Sequence, residues 1–199
     1  FKGLAVGLAS VVALILVAIL IVVFQGGLPS MVRYGWEFLI TSDWNPVDDE
    51  YGAGAAIYGT LVTSVLSLFI AIPLGIGTAI FITENIIPQK IRNFIGLMVE
   101  LLAAIPSVVL GLWAIFVMEP FIRPGLEMLY TYFGWFPLFS SPPMGPGTLP
   151  AVLILVVMIL PIITAITRDS LQQVPDRLTQ AAYGIGTTRW GAIINVTLP

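Results

Sequence analysis

Apolar and polar positions in this chain segregate into long blocks, not into a short repeating period. Residues 3–32, 51–83, 101–118 and 128–167 hold no charged side chain. A helix needs about 20 mainly apolar residues to cross the hydrocarbon core of a bilayer. The blocks therefore predict four crossings, at 4–24, 55–82, 94–118 and 148–167. Gly26, Gly27 and Pro29 read as the stop of the first. Beyond it, 31–40 is amphipathic and predicts an interfacial helix, while 41–51 is acidic and irregular, with Asp43, Asp48, Asp49 and Glu50. Pro73 is expected to bend the second crossing, and 84–93 reads as a short basic turn with Pro88, Lys90 and Arg92. The third contains Pro106 and Glu100. In 119–147, Pro120 and Pro124 argue against one continuous helix, so a short interfacial helix is expected at 126–133, then loop. Tyr130, Tyr132, Trp135 and Phe136 suit a membrane–water boundary. The fourth crossing holds Pro161, and 168–199 is a polar tail with helical signals. The expected fold class is all-α, a polytopic transmembrane helix bundle in a single domain, 1–199.

Composition agrees. The chain is 58% hydrophobic and 10% charged, where soluble domains carry roughly a quarter charged residues. There is no Cys and no His, which removes disulfides, thiol nucleophiles, the usual zinc ligands and the usual neutral-pH proton shuttle. Glu100 is the lone acid in the expected crossings, so an intramembrane enzyme lacks its paired carboxylates, and the chain reads as a non-enzyme. No Gly-Lys-Ser/Thr ending is present, so no phosphate-binding loop exists and nucleotide chemistry must belong to a partner. The acids at 43–50 lack the regular spacing of a calcium loop; they read as solvated, or as a docking surface for an external protein. No metal site, bound cofactor or nucleic-acid partner is expected. A channel or an ATP-independent transporter is the competing class.

Charge distribution orients the chain. With the amino terminus inside, the inner segments hold Lys2, Lys90, Arg92, Arg168, Arg177 and Arg189, and the outer loops only Arg33 and Arg123. That asymmetry obeys the positive-inside rule. The outer loops carry Glu37, Asp43, Asp48, Asp49, Glu50, Glu119 and Glu127, and 168–199 faces the cytoplasm. Residues 4–24 exceed a typical signal-peptide core and read as a retained crossing. With Phe1 first and Pro199 last, the expectation is a piece of a longer chain.

The tail 168–199 carries the most informative local chemistry. Pro175 suits a first helical turn, and a helix from about 175 to 183 would be stopped by Gly184 and Gly186. Thr187 or Thr188 can cap a second helix running through Trp190 and Ile194. Ala181 and Ala182 permit close backbone approach, Tyr183 and Trp190 offer large contacts, and Arg189 can meet an acidic groove edge. Elsewhere, Ala71, Gly75 and Ala79, and again Ala103, Ser107 and Gly111, recur every four residues. Small residues at that spacing predict close helix packing. Glu100 could line a solute path, but reads better as an interfacial acid close to Lys90 and Arg92.

Gln180-Ala181-Ala182, three residues, Gly186, nine residues, Val196, one residue, Leu198-Pro199 resembles the cytoplasmic coupling loop of ABC importer permeases, Glu-Ala-Ala through Ile-x-Leu-Pro. Gln180 stands for the Glu and Val196 for the Ile; Gly191 sits where the family often has Glu, removing a capping box. Further likeness to the permeases of phosphate uptake systems lies in Tyr58-Gly59-Thr60-Leu61-Val62-Thr63-Ser64, Ile72-Pro73-Leu74-Gly75-Ile76-Gly77 and Glu100-Leu101-Leu102-Ala103-Ala104-Ile105-Pro106-Ser107-Val108-Val109. It continues in Gly111-Leu112-Trp113, Arg168-Asp169 and Ala182-Tyr183-Gly184-Ile185-Gly186. The resemblance implies a type I importer fold, with about four helices present of an expected six, in a bacterial-type inner membrane. It implies a coupling surface of Gln180, Ala181, Ala182, Tyr183, Gly184, Gly186, Thr188, Arg189, Trp190, Leu198 and Pro199. It also implies partners: an ATP-binding cassette ATPase dimer that binds the ATP, a second permease subunit and an external phosphate-binding protein. Permeases for sulfate, molybdate and organic solutes share this loop, so another oxyanion or small solute is the alternative substrate.

Overall fold

The computed structural model describes residues 2–84, 86–140, 142–143 and 145–198, without the side chains of Pro137 and Asp176. The chain divides into two compact units, Phe1–Leu61 and Val62–Pro199. The helices α1 (Lys2–Tyr34), α3 (Gly54–Thr83) and α7 (Thr148–Gln172), with the stretch Ser107–Phe133, are each long and apolar enough to span a bilayer.

In the first unit α1 is apolar on every side and buries no residue. It does not end at Gly26-Gly27 as expected but runs through them and through Pro29 to Tyr34. Two glycines cost roughly 1 kcal/mol each in a helix, whereas backbone groups left unpaired in lipid cost several, so continuation wins. The interfacial helix expected at 31–40 is thereby divided. Its first residues close α1, Gly35 turns the chain at φ 60°, and only α2 (Glu37–Ile40) is separate. The acidic segment is not irregular. Strands β1 (Trp44–Asn45) and β2 (Glu50–Tyr51) pair antiparallel, with Trp44 opposite Tyr51 and their rings edge-on at 5.0 Å. Asp49, at φ 60°, forms an ion pair with Arg33 and accepts a bond from the Tyr34 hydroxyl.

The second unit is built on α3 against α7. The expected small-residue stripe on α3 is real: Ser67, Ala71, Gly75 and Ala79 are all buried. Ser67 Oγ donates to the Val152 carbonyl at 3.2 Å, and Ala71 packs with Val152 and Val156. Thr164 Oγ1 donates to the Gly75 carbonyl at 3.4 Å, and Leu171 packs on Ala79 and Ile80. Partner numbers rise together, so the two helices run parallel. Two parallel spanning helices require an odd number of crossings between them, and Ser107–Phe133 supplies one.

That stretch corrects the third crossing. The span 94–118 straddles a break: α4 (Gln89–Ala104) ends at Ile105, extended at ψ 125°, and Pro106, at ψ 136°, caps α5 (Ser107–Trp113). Pro disfavours the helical region for the residue before it, and nothing buries Ala103 to Val109 to oppose that preference. Residues 84–93 are therefore only partly turn, since α4 opens at Gln89. The stripe Ala103, Ser107, Gly111 spans the break and forms no single face. After α5 a π-helical turn (Ala114–Met118) leads into α6 (Glu119–Phe133), which runs through Pro120 and Pro124. The π turn has already shifted the bonding phase, with the Glu119 amide donating to the Ala114 carbonyl, so Pro120 removes little. Within this helix Glu119, 4% exposed, is held by Arg123 in a fork of bonds at 3.0–3.1 Å. The pairing offsets the insertion cost of either charge alone. Leu110 and Ala114 pack on Ile154 of α7. Helix α7 begins at Thr148 as expected but continues five residues beyond 167, to Gln172, because Leu171 is buried in the core.

Candidate functional site

The tail beyond α7 folds into two short helices around a left-handed corner. Pro175, at φ −64°, stands just before α8 (Asp176–Gly184) instead of inside it. At the other end Gly186 has φ 84°, Gly186 N donates to the Tyr183 carbonyl at 3.0 Å, and Thr187 N to the Ala182 carbonyl at 3.1 Å. This pair of bonds is the Schellman closure, which wants glycine at the left-handed position. Gly184, expected to stop the helix, is its last residue.

Thr188 caps the next helix, α9 (Arg189–Ala192): its Oγ1 accepts from Gly191 N at 3.2 Å. Gly191 lies under the Thr187 methyl, where a Cβ would come within 2.6 Å of Cγ2. The absent Glu of the capping box is thus matched by a local close approach. A π-helical turn, Ile193–Thr197, completes the tail, closed by Leu198 N donating to the Ile193 carbonyl at 2.9 Å.

Burial sorts the expected coupling residues. Ala182 is buried. Gln180, Ala181, Tyr183, Gly184, Gly186, Thr188, Arg189, Trp190 and Leu198 are exposed; Pro199 lies outside the described residues. Tyr183 and Trp190 are about half exposed, at 42% and 54%, so their rings are available to another surface and contribute little to this chain's own core. Arg189, Gln180 and Tyr183 border a cleft of about 280 Å³ together with Glu84, Ile86, Thr179 and Ile193.

The residue that sequence reasoning missed is Ile193. It is 2% exposed and packs with Ala79, Ile80 and Leu171, at the ends of α3 and α7. Ala192 beside it is fully buried. Ile193 and Ile194 are indistinguishable by type and adjacent, yet Ile194 is exposed; only the π turn decides which faces the core. Burying such a side chain contributes about 1.5–3 kcal/mol, enough to tie the knob firmly to the membrane helices.

Glu100 is largely exposed and borders one cavity with Arg92, in keeping with the expected interfacial acid; its carboxylate also meets Arg168 of α7 at 3.8 Å, a contact not foreseen. Among the described residues no group of acids could hold a metal ion.

Residues 71–199 match the family of binding-protein-dependent transport system inner membrane components. Among curated relatives, the phosphate transport system permease protein PstC of Mesorhizobium japonicum is 43% identical over 196 residues, covering 96% of this chain and 60% of the relative. PstC of Pasteurella multocida is 42% identical over 193 residues, covering 94% and 60%. PstC of Xylella fastidiosa is 37% identical over 204 residues, covering 100% and 63%. The chain thus spans about 60% of the length of these relatives. No solved structure matches it.

Proposed function

This chain belongs to the family of binding-protein-dependent transport system inner membrane components, and from that premise we propose that it is a permease subunit of an ATP-driven importer of inorganic phosphate. It is a multi-pass membrane protein with a type I permease fold. The substrate reading draws on the three relatives named above, each a phosphate transport system permease protein. The partners are an ATPase dimer that binds the ATP, a second permease and an external phosphate-binding protein.

One observation carries the mechanism: a knob with two exposed aromatic rings, Tyr183 and Trp190, is plugged by Ile193 into the ends of α3 and α7. A partner gripping Tyr183 and Trp190 would move both helices as one body. Nucleotide-driven closure of the ATPases then rocks the bundle from inward-open to outward-open, and hydrolysis resets it. The knob lies in the cytoplasm, with the amino terminus on the same side. Arg123 lies inside α6, which leaves Arg33 as the only outer basic residue against Lys2, Lys90, Arg92, Arg168, Arg177 and Arg189 within.

The test is Gly186→Val in the assembled complex. A β-branched residue held at φ 84° costs about 1–3 kcal/mol and reshapes the corner while leaving the crossings intact. Membrane levels and basal ATP hydrolysis should persist while phosphate moved per ATP falls at least tenfold. Full uptake in this variant would sink the docking role.

A further inference from the structure

A second polar cavity, of about 320 Å³, shares no lining residue with the cleft at the knob and lies between the end of α3, one face of α4 and the end of α7. Ile82 and Thr83 come from α3, while Gln89, Arg92, Asn93, Gly96, Leu97 and Glu100 come from α4, and Arg168 and Gln172 from α7. Two arginines and one glutamate thus line one cavity, and Arg92 Nη1 also donates to the Glu84 carbonyl at 3.5 Å. The Arg168–Glu100 contact is loose, at 3.8 Å, with the carboxylate 70% exposed, so a stronger acceptor can displace it. Independently, Thr83 Oγ1 is buried with no hydrogen-bond partner, and such a hydroxyl costs free energy unless something accepts from it or donates to it.

From this juxtaposition we propose that the cavity of Thr83, Arg92, Glu100 and Arg168 binds a phosphate group, with Glu100 as an internal stand-in that the ligand replaces on Arg168. Arg suits this task because its planar fork bonds two oxygens of one tetrahedral anion. The hydroxyl and the amides of Asn93 and Gln172 add donors at other angles. The phosphate group can come from free inorganic phosphate arriving at the inner end of the path, or from an anionic lipid headgroup. The inner placement rests on the orientation and import reading above; the chemistry of the cavity does not.

The test uses the whole complex in nanodiscs, without nucleotide or binding protein, and two probes: radiolabelled inorganic phosphate in neutral lipid, and phosphatidylglycerol scored by native mass spectrometry. Arg168→Gln should weaken retention of one probe roughly tenfold or more. Thr83→Val should weaken the same probe severalfold, and Glu100→Gln should strengthen it, since the competing carboxylate is gone. The probe that shows this opposed pattern names the source. A merely structural ion pair would give Arg168→Gln and Glu100→Gln the same sign, and that result, or no change with either probe, overturns the site. Uptake by the wild-type complex in proteoliposomes is scored separately. Its failure would sink the import reading and leave the binding result standing.

Discussion

Two apolar stretches of this chain carry small residues every fourth position and a proline among them, yet they fold differently. In α3, Ala71, Gly75 and Ala79 flank Pro73, and the helix runs unbroken from Gly54 to Thr83. Between α4 and α5, Ala103, Ser107 and Gly111 flank Pro106, and the helix breaks there. The local cost is similar in both, a lost amide donor and a strained preceding residue. What differs is burial. Ala71 and Gly75 are sealed against α7, whereas Ala103 to Val109 are exposed. Packing supplies the free energy that holds Pro73 in a helix; without it, Pro106 imposes its own preference. A small-residue stripe therefore marks a packed face only where the helix through it is continuous.

The largest expected effect follows from filling the packed stripe. A Cβ on Gly75 would already come within 2.6 Å of Ile163 Cγ2. Gly75→Leu should destabilise the α3–α7 pair by about 1–3 kcal/mol or more. Ala103→Leu, on the open stripe, should stay within about 0.5 kcal/mol. Thermal unfolding of the detergent-solubilised complex distinguishes them. Equal shifts would remove the contrast in burial on which the comparison stands.

The same contrast explains what was legible in advance. The four membrane-length blocks, the α3 stripe, the Thr188 cap and the Gly186 corner each follow from local chemistry: block length, residue size, a side-chain acceptor and a left-handed φ. The break at Pro106 depended on the absence of a neighbour, and the passage of α1 through Gly26 and Gly27 on what a bilayer forbids. Neither is encoded in a local window. Glu100 meeting Arg168 joins residues of two helices, and the burial of Ile193 over Ile194 turns on a π turn that no residue type announces. The helix–corner–helix shape of the tail was therefore readable and its anchor was not.

A middle-sized effect is expected from exchanging the prolines. Pro106→Ala restores an amide donor and frees Ile105, so α4 and α5 should fuse. Spin labels at Gln89 and Trp113 would then report the roughly 36 Å separation of a continuous helix at 1.5 Å per residue. Pro73→Ala should leave the span of α3 unchanged, because packing on α7 already holds that helix continuous. A label distribution unaltered by Pro106→Ala would mean that something other than proline holds the break.

The smallest effect probes how the packed stripe is held. Ser67 is fully buried and its hydroxyl is shared between the Thr63 carbonyl at 2.6 Å and the Val152 carbonyl at 3.2 Å. The first bond lies within α3, so only the second ties helix to helix. Interhelical hydrogen bonds in membranes average about 0.6 kcal/mol, because chains separated in the bilayer also find partners. Ser67→Ala keeps the residue small and removes both bonds, of which only the one to Val152 joins the helices. It should lower stability by about 0.5–1 kcal/mol, well below the loss from Gly75→Leu. If Ser67→Ala equalled Gly75→Leu, hydrogen bonding and not close apolar approach would be what joins α3 to α7, and a stripe of small residues would be the wrong feature to read.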